Sequence, residues 1–181
     1  MNPDKQKNFD AVVMPHLDAA FNLARWLARN DADAQDIAQE AFLRAFKFFN
    51  GFHGEDGKSW LLAIVRNTFY SWLQKQRGRH SEEPFDENIH GDDPALVDTL
   101  PNNNPEVLLM QRASKRIIDS ALERLPVECR EIIVLRELED LSYKEIADIA
   151  AIPMGTVMSR LSRARKLLRD QLERQHADLQ T

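Results

Sequence analysis

The sequence predicts an all-α protein of two small helical domains joined by an acidic flexible linker, the second domain containing a helix-turn-helix. On both sides of the centre, apolar residues recur with helical spacing, and no run alternates strictly as a strand would. A proline-rich, acidic stretch separates these two parts. Near the C-terminus a capped helix, a short break and a second helix follow one another, which is the order of a DNA-reading motif.

The central stretch, residues 81–105, contains four prolines and three consecutive asparagines and is predicted to be an extended, mobile linker. Residues 81–111 carry a net charge of −8, whereas residues 1–80 carry +2 and residues 112–181 carry +1. The overall charge of −5 therefore comes from the centre. Because the predicted domains, residues 1–80 and 106–181, do not carry this negative charge, they can bind the phosphates of a nucleic acid.

Composition excludes several classes of protein. The single cysteine, Cys129, rules out an intrachain disulfide and a cysteine metal site, and we expect it to be buried. The five histidines are too scattered for a metal site. No apolar run approaches the ~20 residues of a membrane span and the N-terminus lacks a signal-peptide pattern, so a cytoplasmic protein without direct membrane insertion is expected. No catalytic residue, metal, cofactor or small-molecule substrate is predicted, and we do not expect an enzyme.

Helical spacing places three helices in the first domain and four in the second. The first three are predicted near residues 8–29, 34–49 and 58–78, and three glycines within residues 51–57 mark a loop before the third. The other four are predicted near residues 106–124, 127–138, 142–150 and 154–172.

The helix-turn-helix is the most specific local pattern. Ser142 followed by Glu145 predicts a capping box, and Pro153 is acceptable in the first turn of the next helix. No acid occurs between Asp148 and Asp170, so one side of that helix is cationic and suits a major groove. The alternative is a solvated amphipathic helix whose basic end favours its own dipole. The predicted apolar stripe holds Val157, Leu161, Ala164 and Leu168, and the opposite side holds Ser159, Ser162, Arg163, Lys166 and Arg169, flanked by Arg160 and Arg165.

Four pieces of this half resemble the fourth conserved region of extracytoplasmic-function (ECF) sigma factors: Leu125-Pro126, Arg130-Glu131, residues 135–147 and residues 152–165. The resemblance implies that this helix reads the upstream, minus-thirty-five promoter element. Two positions depart from the family: Ala151 stands where a turn glycine is usual, and Met158 stands where lysine is frequent and removes one DNA contact. The residues expected to contact the minus-thirty-five element are Thr156, Ser159, Arg160, Arg163 and Lys166.

The predicted helix 34–49 has an apolar stripe that includes Ala34, Ala41 and Phe48. Its other side is polar apart from Leu43, and an apolar residue among charges is typical of a protein-docking face. Asp33 as N-cap, Asp36 near the helix dipole and a surface pair of Glu40 with Arg44 are structural alternatives. Residues 33–46 resemble the second conserved region of the same family, in which this face binds the clamp helices of the polymerase largest subunit. The resemblance implies polymerase contacts at Asp36, Gln39, Glu40 and Leu43.

The predicted helix 58–78 is apolar over most of its circumference, but one arc carries cations, amides and an aromatic ring. Such an arc suits single-stranded DNA, in which each base stacked on a ring contributes roughly 1–3 kcal/mol. The alternative is a partly buried helix whose rings pack at a domain edge. Residues 59–67 resemble the family's reader of the downstream, minus-ten element, and loop 51–57 is expected to shape a pocket for a flipped base. The residues expected to contact this element are Trp60, Arg66, Asn67, Tyr70, Gln74 and Arg77.

The resemblance implies an RNA polymerase sigma factor that directs promoter-specific initiation, with core polymerase, promoter DNA and an anti-sigma factor as partners. A helix-turn-helix regulator without polymerase binding is a second hypothesis, which the polar face of helix 34–49 and the helix carrying Trp60 disfavour. A sigma-like mimic that titrates an anti-sigma factor is a third. Such a mimic need not keep a cationic recognition helix, which this chain has.

Overall fold

The computed structural model describes residues 3–54, 56–79 and 105–178, and within these ranges all regular structure is helical. The predicted all-α class is therefore confirmed. Among the described helices, none combines the length and apolarity that a membrane crossing needs. The predicted linker lies outside the described residues except for Pro105, at which the first helix of the second half begins.

The described residues of the N-terminal half form four α-helices, and the prediction of one helix over residues 8–29 is wrong. Pro15 lies in a 3-10 turn, Met14–His16, because proline lacks the N–H that a continuous helix needs. The helices are α1 (Pro3–Val13), α2 (Leu17–Ala28), α3 (Asp31–Phe48) and α4 (Gly57–Arg79). Their shared core includes Val13, Leu23, Leu27, Ile37, Ala41, Leu61, Leu62 and Phe69.

Helix α3 begins three residues earlier than predicted. Its N-cap is Asn30, whose side-chain oxygen accepts the backbone N–H of Asp33 at 3.1 Å, so Asp33 lies inside the first turn. The buried side of α3 is formed by small residues such as Ala34 and Ala41. Phe48, expected in the core, is 59% exposed, whereas Phe49 turns inward in a 3-10 turn and packs edge-on against Phe9 at 5.3 Å.

The C-terminal half contains α5 (Pro105–Glu123), α6 (Val127–Ile133), α7 (Tyr143–Ala150) and α8 (Met154–Asp178). The helix predicted over 127–138 continues beyond α6 as a π-helical turn, Val134–Leu138, in which the N–H of Glu139 donates to the carbonyl of Val134 at 3.1 Å. Helix α8 is six residues longer than predicted. Buried residues of this half include Leu125, Ile132, Leu135, Ile146, Val157 and Leu161, and Cys129 is buried as expected.

The two halves pack against each other, α2 on α6 and α4 on α7, and we call this packing the closed arrangement. Glu139 joins the two halves, accepting the side-chain N–H of Asn22 at 2.9 Å and pairing with Lys58 at 3.2 Å. Arg130 donates across the contact to the carbonyl of Leu27 at 3.4 Å. Burial and the nearby charge of Arg29 lower the pKa of Arg130 to about 10, so it stays charged at neutral pH. Polar and charged side chains thus contribute to the contact beside the apolar core that both halves share, as is common at interfaces between movable domains.

Candidate polymerase and nucleic-acid interfaces

The polar face of α3 is solvent-exposed. Asp36, Gln39, Glu40 and Leu43 are all exposed, and helical spacing places them on one side, away from the buried alanines. Leu43 is 64% exposed although it is apolar. Glu40 accepts a hydrogen bond from Nε of Arg44 at 2.7 Å, so the surface pair considered from the sequence does form. An exposed pair of this kind contributes little to stability, which leaves the face available to a partner.

The predicted DNA arc of α4 is divided by the closed arrangement. Asn67, Gln74 and Arg77 are exposed, whereas Arg66 and Tyr70 are half-buried. The Arg66 guanidinium carbon lies 4.6 Å from the centre of the Tyr70 ring, so cation and ring form one surface.

That surface holds the carboxylate of Glu131 from α6, which is completely buried. Nε of Arg66 donates to one carboxylate oxygen, and the Tyr70 hydroxyl donates to the other at 3.0 Å. Burial raises the pKa of Glu131, although the charge of Arg66 and the two hydrogen bonds act against that rise. Burial, followed by the charge of Glu131, also raises the pKa of Tyr70. Two of the side chains predicted to contact DNA, Arg66 and Tyr70, are thus already hydrogen-bonded to a carboxylate.

The loop before α4 is aromatic and tightly joined to α1. The ring of Phe52 lies 4.8 Å from that of Trp60, and Phe49 approaches the same indole at 6.1 Å. A Cβ on Gly57 would lie 2.6 Å from the backbone oxygen of Val12, so glycine is required where α4 begins. The structure therefore places Trp60 in an aromatic cluster beside the loop predicted to hold a flipped base.

The helix-turn-helix forms as the sequence predicts. The Ser142 hydroxyl accepts the N–H of Glu145 at 3.2 Å, and the Glu145 carboxylate accepts the N–H of Ser142 at 2.6 Å. Helix α7 ends at Ala150, and the capping residue that follows, Ala151, has a φ of 53°, in the left-handed region that favours glycine. Alanine thus adopts at this turn a conformation that glycine takes more readily.

Helix α8 presents its polar side to solvent. Val157, Leu161 and Ala164 are buried against α6 and α7, and the outer part of the predicted stripe, Leu168, is half-buried. Ser159, Arg163 and Lys166 are exposed, whereas Thr156 and Arg160 are partly covered. Arg165 pairs with Glu137 of the π-helical turn at 2.6 Å.

Sequence reasoning missed Glu131, Glu139 and the exposed Met154, and it treated Met158 only as the loss of a DNA contact. Glu131 stands just before the apolar residues Ile132 to Leu135, and an acid beside so apolar a run could have indicated a buried, paired carboxylate. Within the described residues, no group of histidine, cysteine or acidic side chains is arranged to hold a metal ion.

Comparison with known proteins identifies the family. Residues 12–79 match Sigma-70 region 2, and residues 115–168 match Sigma-70, region 4. The ECF RNA polymerase sigma-E factor of Escherichia coli K12 is 33% identical over 174 residues, which cover 93% of this chain and 88% of that protein. The chain belongs to the ECF RNA polymerase sigma factors. The sigma-E factor of Haemophilus influenzae is 34% identical over 156 residues, covering 83% of this chain and 79% of that protein.

Two further similarities bear on length and arrangement. ECF sigma factor SigE of Mycolicibacterium smegmatis is 32% identical over 174 residues, but the chain spans only 64% of its length. Sigma factor RpoE from Bartonella quintana, solved in complex with the anti-sigma factor NepR, is 27% identical with a TM-score of 0.73, covering 95% of this chain and 98% of that one. CnrH, solved with the cytosolic domain of CnrY, is 22% identical with a TM-score of 0.60 and shares the fold.

Membership of the family confirms the predicted function. This ECF sigma factor directs promoter-specific transcription initiation, and RNA polymerase and promoter DNA are its partners. Sigma factors are generally not enzymes.

Proposed function

We propose a division of labour between the two halves of this sigma factor. The exposed face of α3 binds the clamp helices of core polymerase, the arc of α4 captures the melted non-template strand of the minus-ten element, and α8 reads the minus-thirty-five duplex. The residues between the halves span the distance between the two promoter elements. Strand opening is driven by binding free energy, with no catalytic step by this chain, and the protein acts in the cytoplasm.

The observation that carries the proposal is the way Arg66 and Tyr70 hold the Glu131 carboxylate. A guanidinium above an aromatic ring offers one cation for a phosphate and one platform for a base, which is the combination that single-stranded DNA requires. Glu131 supplies an oxyanion in place of a phosphate. The exposed Asn67 and Gln74 extend the same arc with groups that can hydrogen-bond to base edges.

Promoter capture then requires the closed arrangement to open. Glu131 and a DNA strand compete for Arg66 and Tyr70, so α6 must leave α4 before the strand binds. The polymerase face of α3 stays exposed in the closed arrangement. Polymerase can therefore bind first, and its binding can be coupled to separation of the halves.

An anti-sigma factor is the further partner that we propose. The similar RpoE structure is a complex with an anti-sigma factor, and the similarity extends over both halves of the present chain. A partner that binds across both halves would stabilise the closed arrangement because it binds that state and not the open one.

The test is binding of the reconstituted holoenzyme to a fork-junction DNA whose minus-ten non-template strand is single-stranded. Replacing Arg66 by alanine should weaken binding by about tenfold or more, the loss expected for one cation–phosphate and ring contact. The matched control is Lys75→Ala, since Lys75 is an exposed cation on the same helix but about 180° from Arg66. Equal losses for the two variants would show that only general charge matters and would refute the assignment of the arc.

A further inference from the structure

Two methionines are exposed at the start of α8. Met154 is 51% exposed and Met158 is 52% exposed, and their spacing of four residues places them on the same side of the first two turns. Both belong to the helix that we assign to the minus-thirty-five element. Keeping long apolar side chains in contact with water is unfavourable, and a partner that covers them gains free energy from their burial.

The neighbours of Met158 define the surface that it shares. Ser159 is exposed beside it, and Ser162 lies one turn further along, about 40° around the helix axis. Met158 also borders a groove whose other walls include Tyr143 and Leu161. Its side chain thus lies next to the polar positions assigned to DNA, with an open concave surface beside it.

The charge around this surface selects the kind of partner. Arg163 and Lys166 are exposed further along α8, and no acid follows Asp148 until Asp170. A cationic helix face complements duplex DNA, whose phosphates flank the major groove. Within that groove, the thymine C5-methyl is the apolar group that a side chain can contact. The unbranched, polarisable thioether of methionine adapts readily to such a contact.

We propose that Met158 is a specificity-determining residue that reads the methyl group of a thymine in the upstream promoter element. The inference rests on the proposed role of α8. From the sequence alone, methionine at this position removes a DNA contact that lysine makes in many relatives. The exposed geometry assigns it a contact of a different kind, apolar and selective for thymine, in place of a charged one.

The test removes the methyl group from the DNA instead of the side chain from the protein. Promoters are first mapped with the reconstituted holoenzyme, and duplexes are then made with deoxyuridine replacing thymidine at one upstream position at a time. For the wild type, one position should weaken holoenzyme binding by about fourfold, the factor that corresponds to burial of one methyl group. With Met158→Gln, which keeps the unbranched shape, the same substitution should have no effect.

The matched control is Met14→Gln, which changes a methionine of similar exposure, 48%, in the 3-10 turn of the other half. This variant should keep the wild-type response to deoxyuridine. The proposal is overturned if no upstream position is sensitive in the wild type, if the upstream element contains no thymine, or if Met158→Gln stays equally sensitive. The last result would mean that Met158 does not contact the thymine methyl group and instead contacts a protein partner or solvent. Holoenzyme that binds no promoter would instead refute the proposed function, on which the inference depends.

Discussion

The hydrogen bond from Tyr70 to Glu131 links the two halves, and Tyr70→Phe removes it while keeping the ring. The hydroxyl donates to the carboxylate at 3.0 Å, and Glu131 is completely buried, so no water replaces the lost donor while the halves stay packed. A hydrogen bond to a charged group contributes about 1.5–3 kcal/mol. We expect the free energy of unfolding to fall by about this amount, which corresponds to a roughly 10- to 150-fold change in the equilibrium constant.

The assay is a double-mutant cycle of urea unfolding followed by circular dichroism, with Tyr70→Phe, Glu131→Leu, which removes both acceptor oxygens, and the double variant. Because the two side chains are in contact, the effects of the single substitutions should differ from additivity by about 1 kcal/mol or more. The control is Tyr143→Phe, a substitution of the other tyrosine in the chain, combined with the same Glu131→Leu. That pair should be additive within about 0.5 kcal/mol. A coupling of zero between Tyr70 and Glu131 would refute the closed arrangement as the state of the free protein.

The other predictions concern the outer faces and the buried acid. Arg160→Ala with Arg163→Ala should reduce promoter-specific initiation by roughly tenfold or more while polymerase binding stays unchanged in a pull-down; loss of both activities in a folded protein would contradict the division of labour. Asp36→Ala with Glu40→Ala should weaken polymerase binding by about tenfold without changing the melting temperature, because both side chains are exposed. Burial raises the pKa of Glu131, so its contribution to stability is present below the usual glutamate pKa and is lost as pH rises through the raised value. The difference in unfolding free energy between the wild type and Glu131→Gln should therefore decrease as pH rises through this range. A difference that increases with pH would contradict the conclusion that burial raises the pKa of Glu131.

Features fixed by neighbouring residues were predictable from the sequence. The capping box of Ser142 and Glu145 lies within four residues, and the buried positions Val157, Leu161 and Ala164 repeat at helical spacing. Both patterns act within one or two turns, which is the range over which helical propensity and capping operate.

Three local errors also have physical reasons. Pro15 interrupts the first predicted helix because it lacks a backbone N–H. Helical spacing of apolar residues continues on both sides of the break, so the spacing alone did not reveal it. Asn30 caps α3, so the helix starts before the first residue of the apolar stripe. At the other end, Phe48 fits the stripe by spacing but is exposed, while Phe49 takes the core position after the helix has ended.

The contact between the halves could not be predicted from spacing. Glu131 lies 65 residues from Arg66 and 61 residues from Tyr70 along the chain, so no periodicity connects them. The same holds for Glu139 with Asn22, which are separated by 117 residues. Such pairs depend on how two folded halves meet, and their functional consequence, an acid placed on the predicted minus-ten surface, emerges only from the three-dimensional structure.

The most direct test of the central claim is run-off transcription on genomic fragments with purified core polymerase, followed by mapping of the start sites. With the wild-type chain, starts should cluster downstream of two shared sequence elements at constant spacing and should be absent when the chain is omitted. Addition of the chain without new start sites, or starts that share no upstream element, would contradict its role as a promoter-recognition subunit.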